Sequence, residues 1–152
     1  MTDFVIRDYV PESDLPMIAN SWMSSALDTS PLRVVGAGKR AMSMAIDRCL
    51  KRSQTYVYSL DDESDAIVSW LCVDNDVIHY IYTKLAYRNS GFAKQLVTHA
   101  QQKTGYILDT FSHWPRVEGN ERILSGMRYV PGLFWDNGLM AQLSGEFNKR
   151  DI

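Results

Sequence analysis

The sequence predicts one domain of the mixed α/β class, a mostly antiparallel sheet with helices on its faces. Three observations carry that prediction. Apolar residues recur at helical spacing in some stretches and alternate in others, and short polar turns rather than long linkers separate these stretches. At 152 residues the chain is long enough for a single core, since chains near this length bury about two-thirds of their unfolded surface. An apolar share of 45% with 11% aromatics marks an ordered, globular protein. The predicted order is β-α-α-β-β-β-α-β-α-β, one domain over residues 1–152.

Residues 4–9 alternate as a short strand that Pro11 ends. Ser13 or Asp14 can cap the helix that follows, with Pro16 tolerated in its first turn. Leu15, Ile18, Trp22 and Ala26 form its buried stripe, and Asp28-Thr29-Ser30-Pro31 breaks it. A second helix is expected over residues 38–51. Its apolar face is Ala41/Met42, Ala45/Ile46 and Cys49/Leu50. The other face carries Lys39, Arg40, Arg48, Lys51 and Arg52 against Asp47 alone. That basic face suits an acidic acceptor, nucleotide phosphates or an RNA backbone. A solvated helix face explains it as well, because neither stacking aromatics nor a high pI accompanies it.

Residues 55–60 read as a strand, and Asp61-Asp62-Glu63-Ser64-Asp65 as an exposed turn. Those carboxylates lack the alternate ligand spacing and the glycine of a calcium loop. Residues 66–73, with Trp70, form a buried strand, and Asp74-Asn75-Asp76 turns it tightly into the next. That next strand, residues 77–83, leads into the most informative stretch of the chain. Arg88-Asn89-Ser90-Gly91-Phe92-Ala93 has the form R-x-x-G-x-A and opens an amphipathic helix with Phe92, Leu96, Val97 and Ala100 inward. Thr104-Gly105 ends that helix. A turn of this kind gathers backbone N–H groups at a helix N-terminus, where they lack intrahelical partners and attract an anion such as a pyrophosphate. Gly91 permits close approach of the backbone, and Ala93 keeps the next inward position small. Farther on, residues 106–110 suggest a strand, residues 118–125 a short helix stopped by Gly126, and residues 139–143 a last strand. Extended pieces are expected around Pro131-Gly132.

The turn and its setting resemble the GNAT superfamily of acyl-CoA N-acyltransferases, whose motif is [Q/R]-x-x-G-x-[G/A]. Ile81 and Thr83 stand where that family has an L-x-V pair ahead of its loop. Ser125-Gly126-Met127-Arg128-Tyr129-Val130-Pro131-Gly132 is similar to its late glycine signature, with Met127 in place of Phe. The resemblance implies a GNAT-like fold and transfer of an acyl group, acetyl first among the candidates, from acyl-CoA to a primary amine by direct attack. It implies that backbone groups of Ile81 and Thr83 pair with the pantetheine arm, and that Arg88 and the amides of Asn89, Ser90, Gly91, Phe92, Ala93 and Lys94 hold the pyrophosphate. The Tyr82 N–H is the expected oxyanion donor.

The catalytic groups depart from the family pattern. Its acidic residue nine positions before the motif is here His79, a reasonable general base because an imidazole titrates near neutral pH. Simple alternation places His79, Ile81 and Thr83 on one face. The position of the family's usual acid, a tyrosine, is here Arg122. Tyr80, Tyr82, Ser112, His113 and Tyr129 are substitutes for it by residue type alone. Two other readings remain open. One is a domain that binds CoA or another phosphate ligand without transfer. The other is an interaction protein that recognises a macromolecule through its basic second helix.

A net charge of −2 supplies no general attraction to nucleic acid or membrane, and no run of about 18 apolar residues is present. The first residues lack a signal peptide's basic flank and apolar core. Cys49 and Cys72 lie in apolar patterns without metal-ligand spacing and are expected to be reduced core residues. The expected setting is the cytoplasm. The expected partners are acyl-CoA and an amine acceptor, small molecule or protein, with a homodimer left open and no metal, membrane or nucleic acid.

Overall fold

A computed structural model describes residues 4–29, 38–60, 63–113 and 123–134. The order is β1 (Phe4–Asp8), α1 (Pro11–Thr29), α2 (Gly38–Arg52), β2 (Gln54–Leu60), β3 (Glu63–Asp74), β4 (Val77–Thr83), α3 (Phe92–Thr104), β5 (Thr110–Phe111) and β6 (Arg128–Tyr129). The strands lie in sequence order in one sheet. β1 to β4 are antiparallel neighbours, whereas β5 runs parallel to β4 and β6 parallel to β5. This is the mixed, mostly antiparallel sheet the sequence predicts. The helix expected over residues 118–125 lies largely outside the described residues, and the strand over 139–143 wholly so.

Both faces of the sheet are covered, as strands that are apolar on both sides require. α1 and α2 bury Ile18, Trp22, Met42, Ile46 and Cys49 against Val57, Trp70, Cys72 and Tyr80. α3 buries Ala93, Leu96 and Ala100 on the other face, against Tyr56, Val68, Leu71, Ile78 and Ile81. The predicted stripe of α2 is buried throughout. Its basic face is less free than its spacing suggests. Arg52 turns inward and donates to the carbonyls of Leu133 (3.1 Å) and Phe134 (2.7 Å), and Lys51 pairs with Asp47 at 3.0 Å.

Three boundaries differ from the sequence expectation. β3 begins at Glu63, inside the turn expected over residues 61–65, because Leu60 pairs with Glu63 and carries the ladder to the hairpin tip. α1 begins at Pro11, not beyond Asp14, because Pro11 supplies a preset φ at the first helical position. Asp14 has a different task from simple capping. It accepts two bonds from Arg7 (2.7 and 2.9 Å) and one from the Val10 N–H (2.8 Å). The strand expected over residues 106–110 shrinks to Thr110–Phe111. Side chains of α3 take the amides in between, Thr104 Oγ1 from Tyr106 (3.3 Å) and Gln101 Oε1 from Leu108 (2.9 Å). The stretch around Pro131 also forms a short 3₁₀ turn, Pro131–Leu133, where extended chain was expected.

The Arg7–Asp14 pair joins β1 to α1 with the carboxylate fully buried. Burial alone raises the Asp14 pKa, but the hydrogen bonds from Arg7 and Val10 outweigh it and the net shift is downward. A carboxyl depressed in the folded state contributes stability above its unfolded pKa, and that stability is lost as pH falls through the folded value. Asp14→Ala should cost about 2 kcal/mol near neutral pH, because the Val10 N–H and two Arg7 hydrogen bonds lose their buried carboxylate acceptor. Urea melts at successive pH values should show the difference between parent and variant shrinking below about pH 4.

Candidate functional site

The site is built around a register change in β4. Trp70 opposes Tyr82, Leu71 opposes Ile81 and Cys72 opposes Tyr80, but Val73 opposes Ile78, so His79 is the extra residue of a β-bulge. The bulge corrects the expectation from alternation. Tyr80 and Tyr82 pack on the α1/α2 side and Ile81 on the α3 side. His79 does not share the face of Ile81: its ring lies 6.4 Å from that of Phe134, in the α1/α2 cluster.

The bulge also rephases the backbone. Before it, the carbonyls of Asp76 and Ile78 accept from Thr110 (3.3 Å) and Ser112 (3.0 Å) on the β5 side. After it, the Lys84 N–H donates to the Val68 carbonyl at 2.8 Å, which makes that position a hydrogen-bonded pair with β3. Trp70–Tyr82 is then the next such pair, because these pairs alternate in an antiparallel ladder. The Tyr82 N–H therefore points at β3, away from the place of the expected oxyanion donor. The backbone groups of Ile81 and Thr83 point away from β3, toward the side where β5 would continue. There, among the described residues, the paired register with β5 covers Val77 and Ile78 and ends at Phe111.

Beyond β4 the chain makes a 3₁₀ turn, Leu85–Tyr87, and then the R-x-x-G-x-A turn. Asn89 (φ +63°) and Gly91 (φ +86°) both take left-handed conformations. A Cβ on Gly91 would meet nothing nearer than Gln95 Nε2 at 3.9 Å, so the backbone conformation and not space demands glycine. Among the described residues, no acceptor meets the backbone N–H groups from Asn89 through Lys94; the first bonded one is Gln95, to the Gly91 carbonyl at 3.0 Å. Asn89, Ser90, Gly91 and Lys94 are exposed, Phe92 is half-buried, and Ala93 is packed against the sheet. Arg88 stands apart. Its N–H bonds to Leu85 (3.3 Å), its Nε donates to the Thr83 carbonyl (2.8 Å), and its guanidinium sits 6.0 Å from the Tyr82 ring centre. It ties the connector to the end of β4. Lys94 also borders an open cavity of about 320 Å³ with Ile6, Gln95, Thr98, His99 and Gln102, along α3 toward β1.

Where the described β4–β5 pairing ends, His79 Nδ1 lies 2.7 Å from Ser112 Oγ, and both residues are 2% exposed. His79 Nε2 is buried without a hydrogen-bond partner among the described residues, and Asp74 Oδ2 lies 4.0 Å from it. Arg52 Nε is 3.9 Å from the same Asp74 oxygen. Burial draws His113 down to about 3, with His79 adding to the effect, so His113 stays neutral beside Trp22, Tyr80 and Phe134. Tyr80 stacks between Trp22 and Trp70, and Tyr129 lies outside on β6. Burial raises the Cys72 thiol, and both cysteines are free. Among these substitutes for the missing acid, Ser112 is the one within hydrogen-bond distance of His79 among the described residues. Asp74 and Arg52 escaped sequence reasoning, since each touches this group only through the β3–β4 hairpin and the end of α2.

Among the described residues, no group of three or more His, Cys, Asp or Glu is placed to hold a metal ion, and no helix is long and apolar enough to cross a membrane. Gly91→Ala should cost about 1–2 kcal/mol through its left-handed backbone alone, and a urea melt of the variant beside the parent measures it.

No family model and no curated protein matches the sequence. Solved structures do match in fold. A proposed acetyl transferase from Pyrococcus furiosus aligns at TM-score 0.57 and 12% identity, over 81% of this chain and 91% of that one. A possible acetyltransferase from Clostridium difficile 630 aligns at TM-score 0.53 and 17% identity, over 80% and 86%. The PH1933 protein of Pyrococcus horikoshii OT3 aligns at TM-score 0.51 and 18% identity, over 72% and 76%. These likenesses show that the chain shares the fold of these solved structures, two of which are described as acetyltransferases.

Proposed function

We propose that the protein is an acyl-CoA N-acyltransferase that moves an acyl group, acetyl as the first candidate, to a primary amine by direct attack. The observation that carries this reading is the row of amides from Asn89 to Lys94, which meet no acceptor among the described residues and stand at a helix N-terminus directly behind the end of β4. Such amides suit a pyrophosphate. The side of β4 that faces away from β3, closed at its end by the Arg88 bond to the Thr83 carbonyl, suits a pantetheine arm with its thioester toward His79. His79 stands there as the proton acceptor. The interaction-protein reading loses ground because Arg52, part of the basic face it needs, is tied to Leu133 and Phe134. A domain that binds CoA without transfer is the second reading, favoured by Arg122 at the position of the usual acid.

Calorimetry and thermal shift with acetyl-CoA test the binding. A ligand that binds only the folded state at a hundredfold excess over Kd stabilises it by about 2.7 kcal/mol. Ser90→Glu, an exposed change that sets a negative charge beside the amides, should remove the shift while leaving the unliganded melting temperature unchanged. An equal shift in parent and variant places the anion elsewhere. Transfer of radiolabel from acetyl-CoA to a panel of amines separates the two readings. In an active preparation, His79→Ala should lower kcat per folded molecule by about a hundredfold, with acetyl-CoA affinity retained.

A further inference from the structure

We propose that Ser112 is a catalytic residue that handles the reaction's proton, with His79 storing that proton behind it and Asp74 positioning His79. This deepens the acyltransferase reading and rests on it. The geometry assigns the roles. Ser112 is the first residue beyond the last β4–β5 pair, and its N–H bond to the Ile78 carbonyl holds it there. His79 turns Nδ1 to Ser112 Oγ at 2.7 Å and Nε2 toward Asp74 at 4.0 Å. With Nε2 protonated, the neutral ring aims an N–H at a carboxylate and accepts the Ser112 hydroxyl proton at Nδ1. The buried Nε2 that otherwise lacks a partner then has a purpose. His79 and Ser112 are both 2% exposed, so the relay requires a substrate seated against the Ser112 hydroxyl where the described β4–β5 pairing ends.

The step balances. The amine attacks the thioester carbonyl, a C–N bond forms, and the C–S bond breaks. The amine's surplus proton passes to Ser112 Oγ as the hydroxyl proton of Ser112 passes to His79 Nδ1. The imidazolium, facing Asp74, then returns its proton to Ser112 Oγ while the Ser112 hydroxyl protonates the departing sulfur. Amide and free thiol result, and Ser112 and His79 end as they began. The charged or titratable groups around the ring are Asp74 and Cys72 on β3, Cys49 and Arg52 on α2, and His113 after β5. Of these, Asp74 faces Nε2 at 4.0 Å, and the Cys49 thiol lies close enough to the ring for His79 to help draw its pKa down.

Three variants and one spectrum test the proposal. Ser112→Ala should lower kcat by about a hundredfold while the acetyl-CoA thermal shift persists. Ser112→Thr, which keeps the hydroxyl, should restore most of the rate. Asp74→Asn should move the acidic limb of the kcat profile to lower pH without abolishing the plateau, which a merely structural carboxylate would not do. In the free protein, nitrogen NMR of labelled histidine should show His79 protonated at Nε2, with an Nδ1 resonance that Ser112→Ala shifts. Unimpaired transfer by Ser112→Ala, or a His79 protonated at Nδ1 at neutral pH, overturns the relay and leaves the acyltransferase reading standing. A parent protein that neither binds acetyl-CoA nor transfers its acyl group overturns both.

Discussion

One extra residue in β4 is the constraint on which the rest of the site depends. A strand that kept the register of Val77 and Ile78 would turn the Tyr80 and Tyr82 backbone toward β5 and send their side chains to the α3 side. The bulge opposite the Cys72–Val73 step reverses both. Up to Ile78 the strand can pair with β5; past His79, other residues carry the outward backbone groups, and the described pairing with β5 stops at Ile78. The described β4–β5 pairing thus ends where the bulge lies. The inserted residue's imidazole stands at that point, between Ser112 and Asp74.

The packing on either side supports this division. On the α1/α2 side, Trp22, Trp70 and Tyr80 stack with ring centres 5.2 Å apart in the closest pairs, and His113 stands edge-on to Phe134 at 4.1 Å. Such aromatic contacts are directional, and they leave His79 with few alternative positions. On the opposite side, α3 needs Ala93 to approach the sheet, and its first turn carries the open amides beyond the end of β4. Arg88 closes the connection by bonding to the Thr83 carbonyl. Two conformations that side chains seldom adopt, at Asn89 and Gly91, are concentrated in these few residues. Local strain at the turn is offset by the buried helix that follows.

Charge is also distributed with a purpose that spacing along α2 conceals. Arg52 sits in the last turn, where a cation complements the helix dipole, yet its guanidinium reaches across to Leu133, Phe134 and the neighbourhood of Asp74. It therefore belongs to the framework around His79 as much as to a helix surface.

The sequence by itself determined what depends on local chemistry. The apolar stripe of α2, the tight Asp74-Asn75-Asp76 turn, the glycine of the turn and the helix it opens all follow from short-range periodicity and backbone preference, and the structure has each of them. So does the mixed sheet, since strands and helices of those lengths have few ways to bury both faces. What the sequence did not show is set by partners distant along the chain. The strand expected over residues 106–110 is short because Thr104 and Gln101 compete for its amides. His79 left its expected face because its register is decided by β3, where pairing shifts by one residue. Ser112, thirty-three positions away, meets it only once β5 has docked. A period-two pattern read along one strand carries no information about an unequal number of residues in the strand beside it, so the site's geometry was decided by the tertiary structure alone.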